Sequence, residues 1–167
     1  AAGENARHLR DNGVAIWEEP ALIGYTARGD GIQAAILRVK MKYLDKWVEG
    51  RRSHARQYGE LLADVKGLTL PVEKPDAVHS YYVYVVRVDN RDEVMAQLKE
   101  KGCGCGIHYP VPLHLQPAYS NLGGKVGDHP VSEQYAKQIM SIPMFPELTP
   151  EQVSEAAGII REVVASI

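Results

Sequence analysis

Ser80-Tyr81-Tyr82-Val83-Tyr84-Val85-Val86-Arg87-Val88 is the stretch on which the fold of this chain turns. Tyrosine and valine suit a pleated, half-buried surface, so the run predicts a strand. Asp89-Asn90 then turns the chain into a helix predicted over residues 91–101, closed by Gly102, and residues 103–108 read as another strand. Just upstream, Gly67 ends a helical stretch and Leu68-Thr69-Leu70 reads as a short strand before Pro71 and a polar loop to Pro75. Downstream, Pro130 precedes a helix predicted over 131–139, residues 140–144 read as a short strand, and Pro150 opens a helix over 151–166. Strands and helices alternating in this order predict an α/β unit in which helices cover a small antiparallel sheet.

Toward the N-terminus, Ile32, Ala35, Ile36, Val39, Tyr43 and Trp47 recur at spacings of three and four, one face of a helix, with Asp30 as its N-cap. The pattern resumes at Ala55, Tyr58, Leu61, Leu62 and Val65. Gly50 lies between and costs about 1 kcal/mol relative to alanine inside a helix, so one long helix with a weak or bent middle is predicted. Residues 5–12 read as a short helix ended by Asn12-Gly13, with a loop through Pro20. Val14, Ile16, Trp17, Leu22 and Ile23 find no partner surface in this pattern and are expected to be exposed or to make oligomer contacts.

Composition narrows the function. The 167 residues, 45% hydrophobic and 24% charged, suffice for one core, and a formal charge of -2 offers no cationic field for nucleic acid. Arg51, Arg52, His54 and Arg56 share a helical stretch with Glu49 and Glu60, which reads as a solvated face, as do Lys40, Lys42 and Lys46. No apolar run approaches the ~18 residues of a spanning helix and no signal-peptide pattern opens the chain, so no membrane partner and a cytoplasmic location are expected. The first residue is alanine, which points to processing or truncation. Cys103 and Cys105 flank Gly104 and are expected to stay reduced, with no metal bound. His8, His54, His79 and His129 match no metal spacing, and no Gly-x-Ser-x-Gly turn supports a nucleophilic triad.

Two further segments carry a resemblance: Gly24-Tyr25-Thr26-Ala27-Arg28-Gly29-Asp30-Gly31-Ile32-Gln33-Ala34-Ala35, and the run from Ile107 to Tyr119 that begins Ile107-His108-Tyr109-Pro110-Val111-Pro112-Leu113-His114. With Tyr82-Val83-Tyr84-Val85-Val86-Arg87, Leu98-Lys99-Glu100-Lys101-Gly102 and Ile142-Pro143-Met144-Phe145-Pro146-Glu147-Leu148-Thr149, they stand in the order found in the DegT/DnrJ/StrS family. From about residue 5 onward the chain resembles these pyridoxal-phosphate-dependent aminotransferases, which act mainly on nucleotide-linked keto-sugars. The resemblance implies the C-terminal small domain of the aspartate-aminotransferase fold (fold type I), entered by one long linking helix. Residues 1–31 would dock on a large domain and carry the active-site loop, and residues 32–167 would form the small domain.

The resemblance also assigns roles. Thr26 stands where relatives carry an asparagine that reaches the cofactor phosphate of the neighbouring subunit, and a hydroxyl can still donate one hydrogen bond there. Arg28 matches an arginine that in some relatives binds the acidic part of the substrate, since a guanidinium fork pairs two oxygens. Gly29 replaces a methionine and loosens packing beside it. His108 matches a histidine that approaches the substrate across the dimer, with Tyr109 in support. His114 and Tyr119 are expected to fix the loop, and Pro110 and Pro112 to keep it stiff.

The lysine to which the family's cofactor attaches lies upstream of the segment aligned with Ala1, so no catalytic residue is assigned here and the chain alone is expected to be inactive. Pyridoxal 5'-phosphate, a nucleotide-linked keto-sugar, an amino-acid donor such as glutamate, and a homodimer sharing its sites are the implied partners. The alternatives are a non-enzymatic pseudoenzyme, a separate small-domain subunit pairing with a lysine-bearing chain, or a relative acting on a non-sugar ring.

Overall fold

The computed structural model describes residues 2–10, 14–16, 19–20, 25 and 30–167. The chain divides into two compact units, Ala1–Leu44 and Asp45–Ile167.

The first unit contains α1 (Ala2–Arg10), β1 (Val14–Ile16), β2 (Glu19–Pro20) and α2 (Gly31–Met41), with β1 and β2 antiparallel. Asp30 caps α2 as expected, its extended backbone (φ -69°, ψ 135°) letting Oδ1 accept from Ile32 N at 2.7 Å. No residue of α2 is buried. The side chains of Val14, Ile16, Trp17, Leu22 and Ile23 lie outside the described residues.

The single long helix expected from residue 32 is two helices, α2 and α3 (Leu44–Leu62). The interruption falls at Lys42 and Tyr43, whose N–H groups reach Val39 O (3.3 Å) and Lys40 O (2.9 Å), steps of three residues in place of four. Gly50 lies inside α3 and does not break it. Its role is tertiary: an added Cβ would stand 3.0 Å from Pro146 O and 3.4 Å from Pro146 Cβ. The same face of α3 holds the chain beyond the sheet. His54 Nε2 lies 3.4 Å from Pro146 O, Gln57 Nε2 donates to Pro150 O at 2.8 Å, and Tyr58 Oη donates to Pro143 O at 3.0 Å.

The second unit is built on a three-stranded antiparallel sheet in the order β3 (Leu68–Thr69), β4 (Tyr84–Val88), β5 (Ile139–Ile142). The register pairs Leu68 with Val88 and, on the other side of β4, Val86 with Met140 and Val85 with Ser141. The alternation of β4 sends Tyr84, Val86 and Val88 into the core. They meet Tyr58 and Leu62 of α3, Val94 and Leu98 of α4 (Arg91–Glu100), and Val153, Ile160 and Val163 of α6 (Pro150–Ser166). Each of these aliphatic side chains contributes roughly 1.5–3 kcal/mol by leaving water. Arg87, on the opposite side of β4, places its guanidinium 4.1 Å over the Tyr135 ring of α5 (Pro130–Gln138). Arg91 is buried without being unpaired, since Nη1 donates to Ala136 O and Ile139 O at 3.1 Å each and so satisfies carbonyls at the end of α5.

Helix ends follow the sequence closely. Gly102 at φ +77° closes α4, with Gly102 N on Lys99 O (3.0 Å) and Cys103 N on Leu98 O (2.9 Å). Thr149 and Gln152 form a reciprocal capping box at the start of α6, with Pro150 in its first turn.

One expected strand is shorter than the sequence predicts and another is absent. Residues 80–83 are not strand: Arg51 Nε and Arg52 Nη1 take the Ser80 and His79 carbonyls at 2.8 and 2.9 Å, and Tyr81 turns left-handed at φ 46°. Backbone groups bound by arginines of α3 have no strand partner to seek. Residues 103–108 form no strand either, touching the sheet only through a bridge between Gly106 and Ser141. Among the described residues no helix is long and apolar enough to cross a membrane.

Candidate functional site

The site grows from the outer edge of β5. Ser141 is a polar residue between Met140 and Ile142, and it is buried with them. Its N–H donates to Gly106 O at 2.7 Å and its carbonyl accepts from Gly106 N at 3.0 Å, which fixes the strandless segment 106–109 against the sheet. Two residues on, His108 Nδ1 lies 2.9 Å from Ser141 Oγ. That contact occupies one ring nitrogen and leaves Nε2 for an outside group.

His108 is exposed, and the peptide joining it to Tyr109 is cis. Tyr109 is 72% exposed, its ring standing edge-on to the imidazole at 5.5 Å. Two of the three residues predicted to bind substrate are therefore side by side and turned outward. The third, Arg28, and Thr26, predicted to contact the cofactor phosphate, lie outside the described residues.

Beyond Pro110 and Pro112 the chain makes two 3-10 turns, Leu113–Leu115 and Pro117–Leu122. His114 ties this loop to α5, as a loop-fixing role requires: its Nε2 lies 3.0 Å from Glu133 Oε1, with both side chains mostly covered. Glu133 also accepts from Gly127 N at 2.9 and 3.0 Å and from His129 N at 3.2 Å. Partial burial raises the Glu133 carboxyl, but the Gly127, His114 and His129 hydrogen bonds outweigh it and hold the pKa below the ordinary carboxylate value. Gly124 is required where the loop closes, because a Cβ there would stand 2.7 Å from His114 O. His129, given no role from sequence, packs its ring edge-on against His114 at 4.7 Å.

An opening of about 510 Å³ lies beside Tyr109, with His114, His129 and Tyr135 in its wall. Among the described residues no lysine and no carboxylate lines it, so it does not by itself fit pyridoxal phosphate, which needs a lysine to hold it and an acid beside its ring nitrogen. What this surface offers is hydrogen bonding and aromatic contact for a polar ligand. Elsewhere, Cys103 and Cys105 are both free thiols and share a second opening with Met95 and Lys99. Ser141 and Glu133 are the working residues that the sequence did not single out. The one available signal was a lone serine inside the apolar run 139–142.

Comparison with known proteins places this arrangement. Residues 1–161 match the description of the DegT/DnrJ/EryC1/StrS aminotransferase family. The chain is 43% identical over 151 residues to a pleiotropic regulatory protein of Geobacillus stearothermophilus, covering 89% of this chain and 41% of that protein. It is 35% identical over 159 residues to a dTDP-3-amino-3,4,6-trideoxy-alpha-D-glucose transaminase of Streptomyces venezuelae, covering 95% and 42%. Among solved structures, S. venezuelae DesV in complex with a ketimine intermediate superposes with a TM-score of 0.89 at 34% identity, over 99% of this chain and 44% of that one. The chain thus spans less than half the length of each of these relatives, and its three-stranded sheet with covering helices corresponds to part of their fold. It belongs to the DegT/DnrJ/EryC1/StrS aminotransferase family.

Proposed function

We propose that this chain supplies the substrate-facing small domain of a pyridoxal-phosphate-dependent aminotransferase that moves an amino group, with glutamate as donor, onto a nucleotide-linked keto-sugar. The observation that carries the reading is His108, held by Ser141 at Nδ1 and exposed together with Tyr109 instead of being folded into its own core. A polar, aromatic pair presented outward suits a site completed by another subunit, and a homodimer with shared sites goes with it. Arg28 binds the acidic part of the substrate and Thr26 donates to the cofactor phosphate in this scheme. A cytoplasmic location fits the same chemistry.

The cofactor, when bound, supplies the electron sink for amino exchange. The residues of this chain bind and orient: His108 and Tyr109 contact hydroxyl or phosphate oxygens, while the His114–Glu133 tie keeps the loop beyond them in place. The lysine that such chemistry needs comes from a segment outside this chain. Purified chain given cofactor, glutamate and a nucleotide-linked keto-sugar is expected to form no amino-sugar, whereas the lysine-bearing protein forms it. In that protein His108→Ala should raise KM for the keto-sugar about five- to tenfold, the worth of one hydrogen bond. Transamination by the chain alone at ordinary rates would refute the need for a second segment. An unchanged KM in the variant would remove His108 from the site.

A further inference from the structure

We propose that Ser141 is a positioning residue which locks His108 into the tautomer that carries its hydrogen on Nε2, so that the imidazole meets the substrate as a hydrogen-bond donor. The ligand named here, an acceptor oxygen of a nucleotide-linked sugar, rests on the function proposed above. The tautomer rests on geometry alone.

The Ser141 backbone is already committed, its N–H and its carbonyl both to Gly106, while Val85 stands opposite it in the register of β4 and β5. Its side chain is buried, and among the described residues the hydroxyl has one hydrogen-bond partner, His108 Nδ1 at 2.9 Å. A serine hydroxyl has a single hydrogen to place. Were Nδ1 the donor, that hydrogen would be left in a buried position without an acceptor, which is a costly arrangement. The hydroxyl therefore donates to the Nδ1 lone pair, and the ring hydrogen resides on Nε2.

Two backbone bonds between Ser141 and Gly106 set where the ring can lie, and Gly106 leaves room for it: even an added Cβ would stand at 3.5 Å from His108 Cε1. Nε2 sits across the ring from Ser141, on an exposed residue. A fixed N–H donor at that point favours a keto, hydroxyl or diphosphate oxygen and disfavours a ligand N–H or ammonium group. The site thus discriminates between acceptor and donor groups of the incoming ligand, a selectivity that a freely turning imidazole would lack.

The test is 15N NMR of the imidazole in this chain above neutral pH, for the wild type, S141A and S141T. Nδ1 is expected to resonate as a pyridine-type nitrogen and Nε2 as a pyrrole-type one in the wild type and in S141T. S141A should show the averaged pattern of a histidine exchanging between tautomers. Protected amides across β4 and β5 in each variant report that the fold is intact. A pyrrole-type Nδ1 in the wild type, or an S141A spectrum identical to it, overturns the proposal.

In the lysine-bearing protein, S141A should raise KM for the keto-sugar about fivefold with kcat changed less, and S141T should restore it. A tautomer shift in S141A without any KM change overturns the link to substrate. If the wild-type protein turns over no nucleotide-linked keto-sugar, the function reading fails, while the NMR pattern still decides the role of Ser141.

Discussion

Replacing Gly50 with alanine should destabilise this protein, although the same change elsewhere in its helices should do the opposite. Gly50 lies within α3, and alanine at a helix interior is favoured over glycine by about 0.8–1 kcal/mol. Against that stands a Cβ 3.0 Å from Pro146 O, 3.4 Å from Pro146 Cβ and 3.5 Å from Pro146 Cα. The neighbour cannot easily give way. Pro146 has its φ fixed by its ring, its carbonyl faces His54, and Leu148 two residues on is buried and bonded back to Phe145 O. Overpacking of this kind costs roughly 1–3 kcal/mol, so the net effect is a loss of about 0–2 kcal/mol.

Among the described residues, nothing stands within 4 Å of a Cβ added at Gly59 in the same helix or at Gly158 in α6. Gly59→Ala and Gly158→Ala should each stabilise by roughly 0.5–1 kcal/mol. Urea unfolding followed by far-ultraviolet circular dichroism measures all three against the wild type. With a slope of about 1–3 kcal/mol per molar urea, the midpoints of Gly50→Ala and Gly59→Ala should separate by roughly 0.2–3 M. A Gly50→Ala midpoint that rises as far as that of Gly59→Ala would refute the packing argument and leave Gly50 an ordinary weak helical residue.

Other outcomes follow from the core, the loop and the thiols. Ile160→Ala, at a fully buried position among Leu62, Val86 and Val163, should cost about 2–5 kcal/mol in the same urea assay. Glu133 has a depressed pKa, so its hold on Gly127 and His129 is complete above the ordinary glutamate pKa of about 4.3 and is lost as pH falls through the lower folded value. Hydrogen exchange should show those two amides protected at neutral pH and exposed in strong acid, while Glu133→Gln weakens protection at neutral pH; equal protection in the variant would count against the clamp. Burial pushes both thiols up, the nearby Cys105 adding to the effect at Cys103 and Lys99 opposing it at Cys105. Alkylation near neutral pH should therefore be slow at both, with the half-buried Cys105 reacting ahead of the buried Cys103.

Much of this architecture was legible because its signals are local. Tyrosine and valine at alternate positions place β4, Gly102 closes α4, and Pro130 and Pro150 open α5 and α6, each a matter of a few adjacent residues. The departures have distant causes. Residues 80–83 have strand composition, yet arginines from α3 hold the carbonyls of His79 and Ser80 at the start of the stretch, 27 and 29 positions away. The helix interruption at Lys42 and Tyr43 involves neither glycine nor proline, and the glycine that does lie nearby is explained by a proline in a loop that sequence periodicity cannot place beside it. The candidate site divides the same way. His108 and Tyr109 were visible in a contiguous motif, whereas Ser141 meets His108 across 33 positions and Glu133 meets His114 across 19.

The bond from Tyr58 to Pro143 sets a limit on how far the outward-facing imidazole can drift. Pro143 follows β5 directly and stands two residues from Ser141, and burial pushes the Tyr58 hydroxyl far above its ordinary pKa, so the donor keeps its proton across the working pH range. His108 is thus referenced to the axis of α3 through a hydroxyl, a proline and a serine, with no freely rotating loop in the path. A donor that must meet its acceptor to within a few tenths of an ångström has its positional tolerance set by the buried core of the protein, well away from the surface on which it acts.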